Sequence, residues 1–313
     1  MKEHKGVDQF QSQKETVVTI GTFDGVHTGH QKIIKRVVNA GRESGLESVI
    51  LTFFPHPRMV LQQDSGIKLI NTIEERVDIL SKTGIDHLVV HPFTKEFAQM
   101  DAEEYVRDIL VEKLRARKII IGYDHRFGRN RSADIDDLRE LGKERGIEVE
   151  EISKQEIDEV AVSSTKIRRA LAEGEVEKAN RFLQYPFTLS GWVVRGLGLG
   201  RDLGYPTANL LIPESYRLIP KEGVYIVRSK LSDQSVFFGL MSIGVRPTIG
   251  GSQLAIETHF LDFQGNLYGQ FLNIQLLSRI RDQKDFGNLE ALKEGMNRDK
   301  EFALKYIEKN YAQ

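Results

Sequence analysis

The sequence contains no cysteine among its 313 residues. Disulfide bonds, thiolate zinc ligands and thiol nucleophiles are therefore excluded, and the composition fits the reducing cytoplasm. No stretch approaches the roughly 20 consecutive apolar residues that a membrane-spanning helix needs. The N-terminal stretch MKEHKGVDQFQSQKE also lacks the apolar core and cleavage site of a secretory signal. We therefore expect a cytoplasmic protein with no membrane partner.

An excess of charge of either sign is also lacking. The 44 Lys and Arg residues nearly balance the 45 Asp and Glu residues, which leaves a formal net charge of −1. No global basic field favours nucleic acid as a partner, so we expect small-molecule substrates held at local sites. The length leaves room for two domains of about 100 to 200 residues each. The oligomeric state stays open.

Strand and helix patterns alternate from residue 17 to about residue 183. The predicted strands are residues 17–20, 48–54, 87–90, 118–122 and 148–152. The predicted helices between and after them include residues 73–82, 102–115, 135–145 and 167–172. Such alternation predicts an α/β fold, a parallel sheet with helices on both faces, in which ligands lie at the carboxyl ends of the strands.

After Pro186 the pattern changes to short strands separated by turn residues. These predicted strands are residues 188–194, 223–231, 236–243, 254–261 and 270–277, and a helical stretch from residue 289 to about 311 follows. This pattern predicts a small antiparallel β-barrel or sandwich with a closing helix. We therefore predict a first domain of residues 1–185 and a second domain of residues 186–313.

A turn with three glycines separates the first predicted strand from a helix, in the string GTFDGVHTGH. Glycines let backbone N–H groups wrap phosphate oxygens, and a helix N-terminus attracts anions. His27 and His30 flank the Thr-Gly pair of this turn, where their ring N–H groups can stabilise charge that develops at phosphorus. A glycine turn alone is often only a chain reversal, but the two histidines favour phosphate-ester chemistry.

A second candidate phosphate site is the string SSTKIR, which opens a predicted helix. Ser164 and Thr165 are ordinary helix-capping residues, and this is the alternative interpretation. Lys166 and Arg168 in the first turn, however, oppose the helix dipole unless an anion neutralises them. The tail of a nucleoside triphosphate would supply such an anion.

The second half contains the string VRGLGLGRDLGYPTANLLIP. Its alternating glycines are Gly196, Gly198 and Gly200, and because no helix follows, they do not form a dinucleotide fingerprint. Thr207 and Asn209 present two oxygens on one face of an extended segment, which suits a hard cation such as Mg²⁺. The alternative is a simple turn whose backbone is set by Pro206.

The string IETHFLDFQGNLYG combines a strand pattern with a carboxylate. Alternation places Glu257 and His259 on one face and Ile256, Thr258 and Phe260 on the other. A carboxylate in so apolar a strand either faces solvent, which is the usual case, or serves a site as a base.

The HTGH turn resembles the signature of the nucleotidyltransferase superfamily, and GTFDGVHTGH resembles its flavin-adenylylating branch. The resemblance implies a Rossmann-like nucleotidyltransferase domain that joins FMN to the AMP part of ATP, giving FAD and pyrophosphate, with His27 and His30 as catalytic residues. The ATP-binding residues that it implies are Gly21, Phe23, Gly29, Ser164, Thr165 and Arg168. The strings FFPHPR and IGYDHRFGRNRSAD resemble flavin and adenine-side segments, and the implied flavin-binding residues are His56, Pro57 and Asp124.

Three positions depart from that family pattern. Phe54 stands where a polar residue is expected, His125 where an aromatic residue is common, and Ala133 near a usual glycine. A purely structural role is the alternative for His56 and for Asp124. One rival interpretation is therefore a kinase whose N-terminal half adenylylates poorly.

The strings GRDLGYPTANL, SIGVRPTIGG and IETHFLDFQGNLYG together resemble riboflavin kinase. The resemblance implies a β-barrel of the riboflavin kinase fold, with Glu257 as the base that accepts the proton of the riboflavin 5′-hydroxyl. It implies Mg²⁺ ligands at Thr207 and Asn209. The implied ATP-binding residues are Gly196, Gly198, Gly200 and Pro206. The implied flavin-binding residues are Arg281, Phe286 and Leu289, for which packing of the closing helix is the alternative.

The order of the two resemblances implies a bifunctional riboflavin kinase and FAD synthetase. Such an enzyme uses ATP, Mg²⁺ and riboflavin to make FMN, and then converts FMN to FAD. A rival from another class is a flavin-sensing regulatory protein that acts on nucleic acid. The balanced charge and the retained Glu257 argue against this rival.

Overall fold

The structure is a computed structural model that describes residues 1–61, 66–153, 162–196, 204–231, 234–248 and 251–311. Contacts divide the chain into two compact units, Met1–Ser164 and Thr165–Gln313. The domain boundary that we expect from the sequence, between residues 185 and 186, lies later in the chain and stays a prediction. No helix among the described residues is both long enough and apolar enough to cross a membrane.

Six strands form the sheet of the first unit. They are β1 Lys2–Lys5, β2 Thr16–Ile20, β3 Glu47–Phe53, β4 His87–His91, β5 Ala116–Gly122 and β6 Glu148–Ile152. Their order is β1-β4-β3-β2-β5-β6, and every neighbouring pair is parallel. The predicted parallel sheet is confirmed. Strand β1 was not predicted, because its sequence KEHK has no apolar alternation.

The helices of the first unit cover both faces of this sheet. They are α1 Thr28–Ser44, α2 Pro57–Leu61, α3 Ile73–Ser81, α4 Ala102–Glu104 with its π-helical continuation Tyr105–Lys113, and α5 Ile135–Glu144. Val18 of β2 packs in one core with Leu110, whereas Val17 packs in another core with Ile34 of α1. Two cores are expected, because successive strand side chains point to opposite faces.

One predicted helix differs in type from an ordinary α-helix. The pattern at residues 102–115 predicts one continuous helix, but the structure is π-helical over Tyr105–Lys113. The backbone N–H of Leu114 accordingly donates to the carbonyl of Ile109, five residues earlier, at 3.0 Å. Side-chain periodicity cannot distinguish the two hydrogen-bond patterns over so short a stretch.

The second unit contains a closed six-stranded barrel. Its strands are β7 Thr188–Val194, β8 Ala208–Leu211, β9 Gly223–Lys230, β10 Val236–Thr248, β11 Gly251–Phe260 and β12 Phe271–Arg281. Their order is β10-β11-β8-β7-β12-β9, and the ladders are antiparallel. Helix α8 Leu289–Tyr311 follows the last strand. The predicted barrel and closing helix are confirmed, and the short strand β8 is an addition to the predicted strands.

Two helices, α6 Ser164–Glu173 and α7 Val176–Leu183, precede the barrel in the chain. Helix α7 packs on β12, where the amide of Asn180 donates to the carbonyl of Leu276 at 2.8 Å. The oxygen of the same amide accepts from the backbone N–H of Phe187 at 2.7 Å. Helix α7 therefore belongs to the barrel by its contacts, although its sequence continues the helical rhythm of the first half.

Side chains hold the edge strand β1 in addition to its ladder with β4. His4 Nδ1 lies 3.2 Å from the carbonyl oxygen of Gln9, and His4 Nε2 lies 3.0 Å from His87 Nδ1. His87 Nε2 in turn lies 3.0 Å from a carboxylate oxygen of Glu47. These side-chain contacts support β1 in addition to its backbone ladder with β4.

We predict that the folded protein loses stability as the pH falls below about 6.5, the ordinary pKa of histidine. Burial lowers the pKa of His4 and that of His91. The unfolded chain therefore binds more protons in this range, so the stabilisation is complete above the unfolded pKa and is lost as the pH falls through the lowered values. Urea unfolding at a series of pH values measures this loss.

The variant His4→Gln provides the matched control for that experiment. Its stability should fall less steeply over the same pH range, since the contribution of His4 is removed while those of other histidines with lowered pKa values, such as His91, remain. Equal slopes in the variant and the parent protein would contradict a role for His4 in the pH dependence.

Candidate functional site

His27 and His30 meet at the start of α1, directly after the carboxyl end of β2. His27 is the N-cap residue of α1, and its Nδ1 accepts a hydrogen bond from the backbone N–H of His30 at 3.4 Å. The two rings stack with centroids 3.7 Å apart and planes 18° apart. Because Nδ1 of His27 is an acceptor, a neutral His27 ring carries its proton on Nε2. The structure thus brings the two predicted catalytic histidines together at a helix N-terminus, where anions are favoured.

The backbone before these histidines is tightly constrained. Phe23 and Val26 have φ angles of 48° and 35°, which non-glycine residues rarely adopt, and Gly25 between them has a φ of 86°. Both side chains are buried, and the Phe23 ring meets the His30 ring edge-on at 5.1 Å. Packing therefore holds a strained turn in place, as is common at functional sites.

Two glycines of this turn, Gly21 and Gly29, are closely packed. Gly29 is buried in the first turn of α1. At Gly21, an added Cβ would come within 3.2 Å of the Phe23 ring. A larger residue at Gly21 would therefore press on the ring that contacts His30, so the close packing favours glycine there.

Asp24, which we did not single out from the sequence, anchors this turn. Its buried carboxylate accepts hydrogen bonds from the backbone N–H groups of Ile70, at 3.0 and 3.1 Å, and of Asn71, at 3.2 Å. The buried guanidinium of Arg76 lies 3.7 Å from the same carboxylate. The backbone carbonyl of Asp24 also accepts from the hydroxyl of Ser164 at 2.9 Å. The turn is thereby fixed to two distant parts of the chain.

Ser164 is the first residue of α6, the helix that the SSTKIR string opens. Thr165 is exposed and Arg168 is half-buried, and both lie in the first two turns of this helix. Its predicted start is confirmed within three residues, since the sequence predicts a helix from residue 167. The role of these residues in holding the triphosphate stays a prediction.

The two segments predicted to contact flavin follow β3 and β5, which flank β2 in the sheet. His56 is buried and its Nδ1 accepts from the backbone N–H of Arg58 at 3.1 Å. Pro57 begins α2, and Asp124 is exposed two residues after the end of β5. Because parallel strands end at one edge, both segments border the same edge of the sheet as His27.

The positions that depart from the family pattern are tightly packed. The His125 ring lies nearly parallel to that of Phe127, with centroids 6.1 Å apart. Burial, aided by the nearby positive charge of Arg131, lowers the pKa of His125 to about 4, so this ring is neutral at physiological pH. Ala133 is buried and exchanges two backbone hydrogen bonds of 3.1 Å with Phe127. Phe54 is half-buried just after β3.

Glu257 and Asn209 form the centre of the second candidate site. They are directly opposed in the antiparallel ladder between β11 and β8, with Thr258 opposite Ala208. Directly opposed residues place their side chains on one face, with Cβ atoms about 5 Å apart. Thr258 and Ala208 are buried, whereas Glu257 and Asn209 are half-buried on the outer face of the barrel. Strand register therefore brings the predicted base next to a predicted cation ligand.

The end of β7 supplies a close backbone approach to this pair. A Cβ added at Gly196 would collide with the side-chain amide of Asn209, so a larger residue there would force that side chain to move. The other two predicted nucleotide-binding glycines, Gly198 and Gly200, lie outside the described residues.

The two residues directly before β8 are not buried. Thr207 is half-buried, and the exposed Pro206 presents its carbonyl oxygen to Nδ1 of His259 at 2.9 Å. Burial lowers the pKa of His259. The sequence placed His259 on the face of Glu257 but did not predict this contact, because the contact depends on which strand pairs with β11.

Arg281 and Phe286 lie together against α8. The Arg281 guanidinium donates to the buried carboxylate of Asp299 at 2.7, 3.0 and 3.1 Å and lies 5.2 Å from the centroid of the Phe286 ring. A Cβ at Gly295 would come within 2.4 Å of that ring, so Phe286 packs directly on the helix. Leu289 is 68% exposed. Arg281 and Phe286 thus pack against the closing helix, which is the alternative role considered for them above. Flavin binding by Arg281, Phe286 and Leu289 stays a prediction.

The donor atoms near Glu257 fit Mg²⁺ bound together with a nucleotide. No group of three or more His, Cys, Asp or Glu side chains suited to a metal is found in the part of the chain that the structure describes. Thr207 and Asn209 instead offer neutral oxygen atoms beside one carboxylate. Mg²⁺ usually takes only one or two protein ligands, with substrate phosphates and water completing its shell.

Comparison with known proteins finds a different family model for each half of the chain. The family model described as FAD synthetase matches residues 9–166, and the model described as riboflavin kinase matches residues 183–307. A crystal structure of a Streptococcus pneumoniae protein, described as a macrolide-efflux protein, is similar with a TM-score of 0.86 and 28% identity, over 99% of each chain.

Curated relatives resemble the chain over nearly its whole length. The bifunctional riboflavin kinase/FMN adenylyltransferase of Listeria monocytogenes is 36% identical over 287 residues, which are 91% of this chain and 90% of the relative. The protein of the same name from Escherichia coli K12 is 34% identical over 297 residues, 94% of each chain. This chain therefore belongs to the family of bifunctional riboflavin kinase/FMN adenylyltransferases.

Proposed function

We propose that this chain phosphorylates riboflavin to FMN with ATP in its C-terminal half. Its N-terminal half then adenylylates FMN with a second ATP to give FAD and pyrophosphate. The observation that carries the proposal is that relatives with both activities in their name align over more than nine-tenths of this chain. The substrates are small molecules, and we further propose that the enzyme acts in the cytoplasm, which the cysteine-free sequence supports.

In the kinase half, we assign the role of general base to Glu257. Its carboxylate would accept the proton of the riboflavin 5′-hydroxyl as that oxygen attacks the γ-phosphorus of ATP and ADP leaves. The half-buried position of Glu257 beside Asn209 supports this role, because a base must reach its substrate in a site that limits water. Gly196 and Pro206 would bind the nucleotide, together with Gly198 and Gly200.

Thr207 and Asn209 would hold Mg²⁺ in this half. When bound, Mg²⁺ would neutralise negative charge on the phosphate chain of ATP. Asn209 lies within β8, whose pairing with β11 fixes it relative to Glu257, and Thr207 directly precedes this strand. Arg281, Phe286 and Leu289 would border the flavin ring.

In the adenylyltransferase half, the phosphate of FMN would attack the α-phosphorus of ATP in line with the departing pyrophosphate. His27 and His30 would stabilise the charge that develops at phosphorus, and the proton on Nε2 of a neutral His27 supports this role. Gly21, Phe23 and Gly29 would form the ATP-binding turn. Ser164, Thr165 and Arg168 would bind the leaving pyrophosphate, and His56, Pro57 and Asp124 would contact the flavin.

A time course with purified chain, riboflavin, ATP and Mg²⁺ tests the proposal. Chromatography that resolves the three flavins should show FMN appearing first and FAD following from it. FMN that accumulates without FAD would support the rival of a weakened adenylyltransferase half. Absence of both products, combined with flavin-dependent binding to nucleic acid at physiological salt, would support the regulatory rival.

We predict that single substitutions separate the two activities. Glu257→Gln removes the base and should slow FMN formation by about 10²- to 10⁴-fold. It should leave the adenylylation of supplied FMN unchanged. His30→Ala removes a charge-stabilising donor and should slow that second reaction by about 10²- to 10³-fold, while FMN forms normally.

Each variant is the control for the other, because both activities are measured on the same purified chain. A substitution that abolished both reactions in a protein with an unchanged melting temperature would refute the assignment of two separate sites.

A further inference from the structure

His259 is the residue of the kinase half whose contacts go beyond the assigned roles. It lies two positions after Glu257 on β11, so both side chains are on the outer face of the strand. The residues that alternate with them, Ile256, Thr258 and Phe260, are buried inside the barrel. His259 therefore borders the proposed site without belonging to the barrel core.

The imidazole of His259 is joined to the backbone before β8. Its Nδ1 lies 2.9 Å from the carbonyl oxygen of Pro206. A carbonyl oxygen only accepts, so Nδ1 must carry a proton and donate it. That carbonyl belongs to the planar peptide group that links Pro206 to Thr207. The hydrogen bond therefore fixes the orientation of the backbone from which the Thr207 side chain leaves.

The ring is also held from a second direction. Tyr205 meets it edge-on, with centroids 5.0 Å apart and planes at 65°. The hydroxyl of Tyr205 donates to the side-chain oxygen of Asn297 on α8. His259 therefore contacts both the segment before β8 and the ring of Tyr205, which the closing helix holds in place. The direction in which its Nδ1–H donates is thus set before any ligand binds.

We propose that His259 is a positioning residue for the kinase reaction, which holds the Pro206–Thr207 peptide so that Thr207 and Asn209 face Glu257. Asn209 needs no such support, since the ladder with β11 already fixes it. Thr207 directly precedes β8, whose ladder with β11 among the described residues pairs Ala208 and Asn209, so the contact from His259 supplies the restraint that the ladder gives to Asn209. This role rests on the proposed kinase function: His259 would hold the cation and nucleotide site in its binding geometry before the ligands arrive.

Two substitutions of the same size test the role of the donor in the full-length chain. His259→Asn keeps an N–H donor near the position of Nδ1, whereas His259→Leu has a similar shape and no donor. Calorimetric titration with Mg²⁺ and ADP, without riboflavin, measures binding independently of catalysis. We expect the Leu variant to bind Mg²⁺-ADP about tenfold more weakly, as the loss of one hydrogen bond would produce, and the Asn variant within about threefold of the parent chain.

Kinetic measurements distinguish positioning from general damage. The Leu variant should show a raised KM for Mg²⁺-ATP and should recover part of its rate of FMN formation at high Mg²⁺ concentration. Its adenylylation of supplied FMN should be unchanged, which controls for the folding of the rest of the chain. Equal binding and kinetics in the Leu variant and the parent, or equal impairment of the Asn and Leu variants, would overturn the proposal.

A third variant covers the case in which the Leu variant does not fold. His259→Phe keeps an aromatic ring against Tyr205 but cannot donate to Pro206, and it should match the expected behaviour of the Leu variant. Parent-like binding by His259→Phe would overturn the role of the donor. If the parent chain bound Mg²⁺-ADP but formed no FMN, the kinase function would fail, while the binding comparison would still decide the role of His259.

Discussion

The pairing of β8 with β11 is the interaction on which the second unit depends. The barrel closes because this short strand bonds to β11 on one side and to β7 on the other. The same ladder sets Asn209 opposite Glu257 and turns both outward. Because side chains alternate along a strand, a slip of one residue would turn Asn209 inward and Ala208 outward. The pairing of β8 with β11 therefore both closes the barrel and sets the geometry of the site, so a change that disturbs one disturbs the other.

The first unit arranges its site by a different physical means. The parallel sheet brings the ends of β2, β3 and β5 to one edge, but the shape of the turn itself comes from strained backbone at Phe23 and Val26. Such strain persists only where the surroundings over-determine the conformation. Asp24 supplies much of this restraint, since its carboxylate accepts backbone N–H groups from a segment far along the chain and lies beside buried Arg76. The position of the stacked histidines therefore depends on the buried carboxylate of Asp24, which acts through backbone hydrogen bonds to Ile70 and Asn71.

Much of this arrangement could be predicted from local sequence patterns. Alternation of strands and helices gave the parallel sheet, and the glycine turn located His27 and His30 at its carboxyl edge. Strand β1 could not be predicted, because its stability comes from the ladder with β4 and from His4, not from an apolar pattern. The contact between Asp24 and Arg76 and the pairing of β8 with β11 could not be predicted either. Periodicity shows which face of an element a residue occupies, but not which distant segment packs against that face. For the same reason, the sequence could not show that α7 belongs to the barrel unit.

The closing helix α8 contacts two segments of the second unit that are far apart in the sequence. Gly295 and Asp299 are one helical turn apart and contact Phe286, which follows the last strand, and Arg281, the last residue of that strand. Asn297 of the same helix holds Tyr205, which precedes β8. Asp299 is buried, so separating it from Arg281 would leave a buried carboxylate without its partner charge. The helix therefore contacts both the segment before β8 and the end of β12.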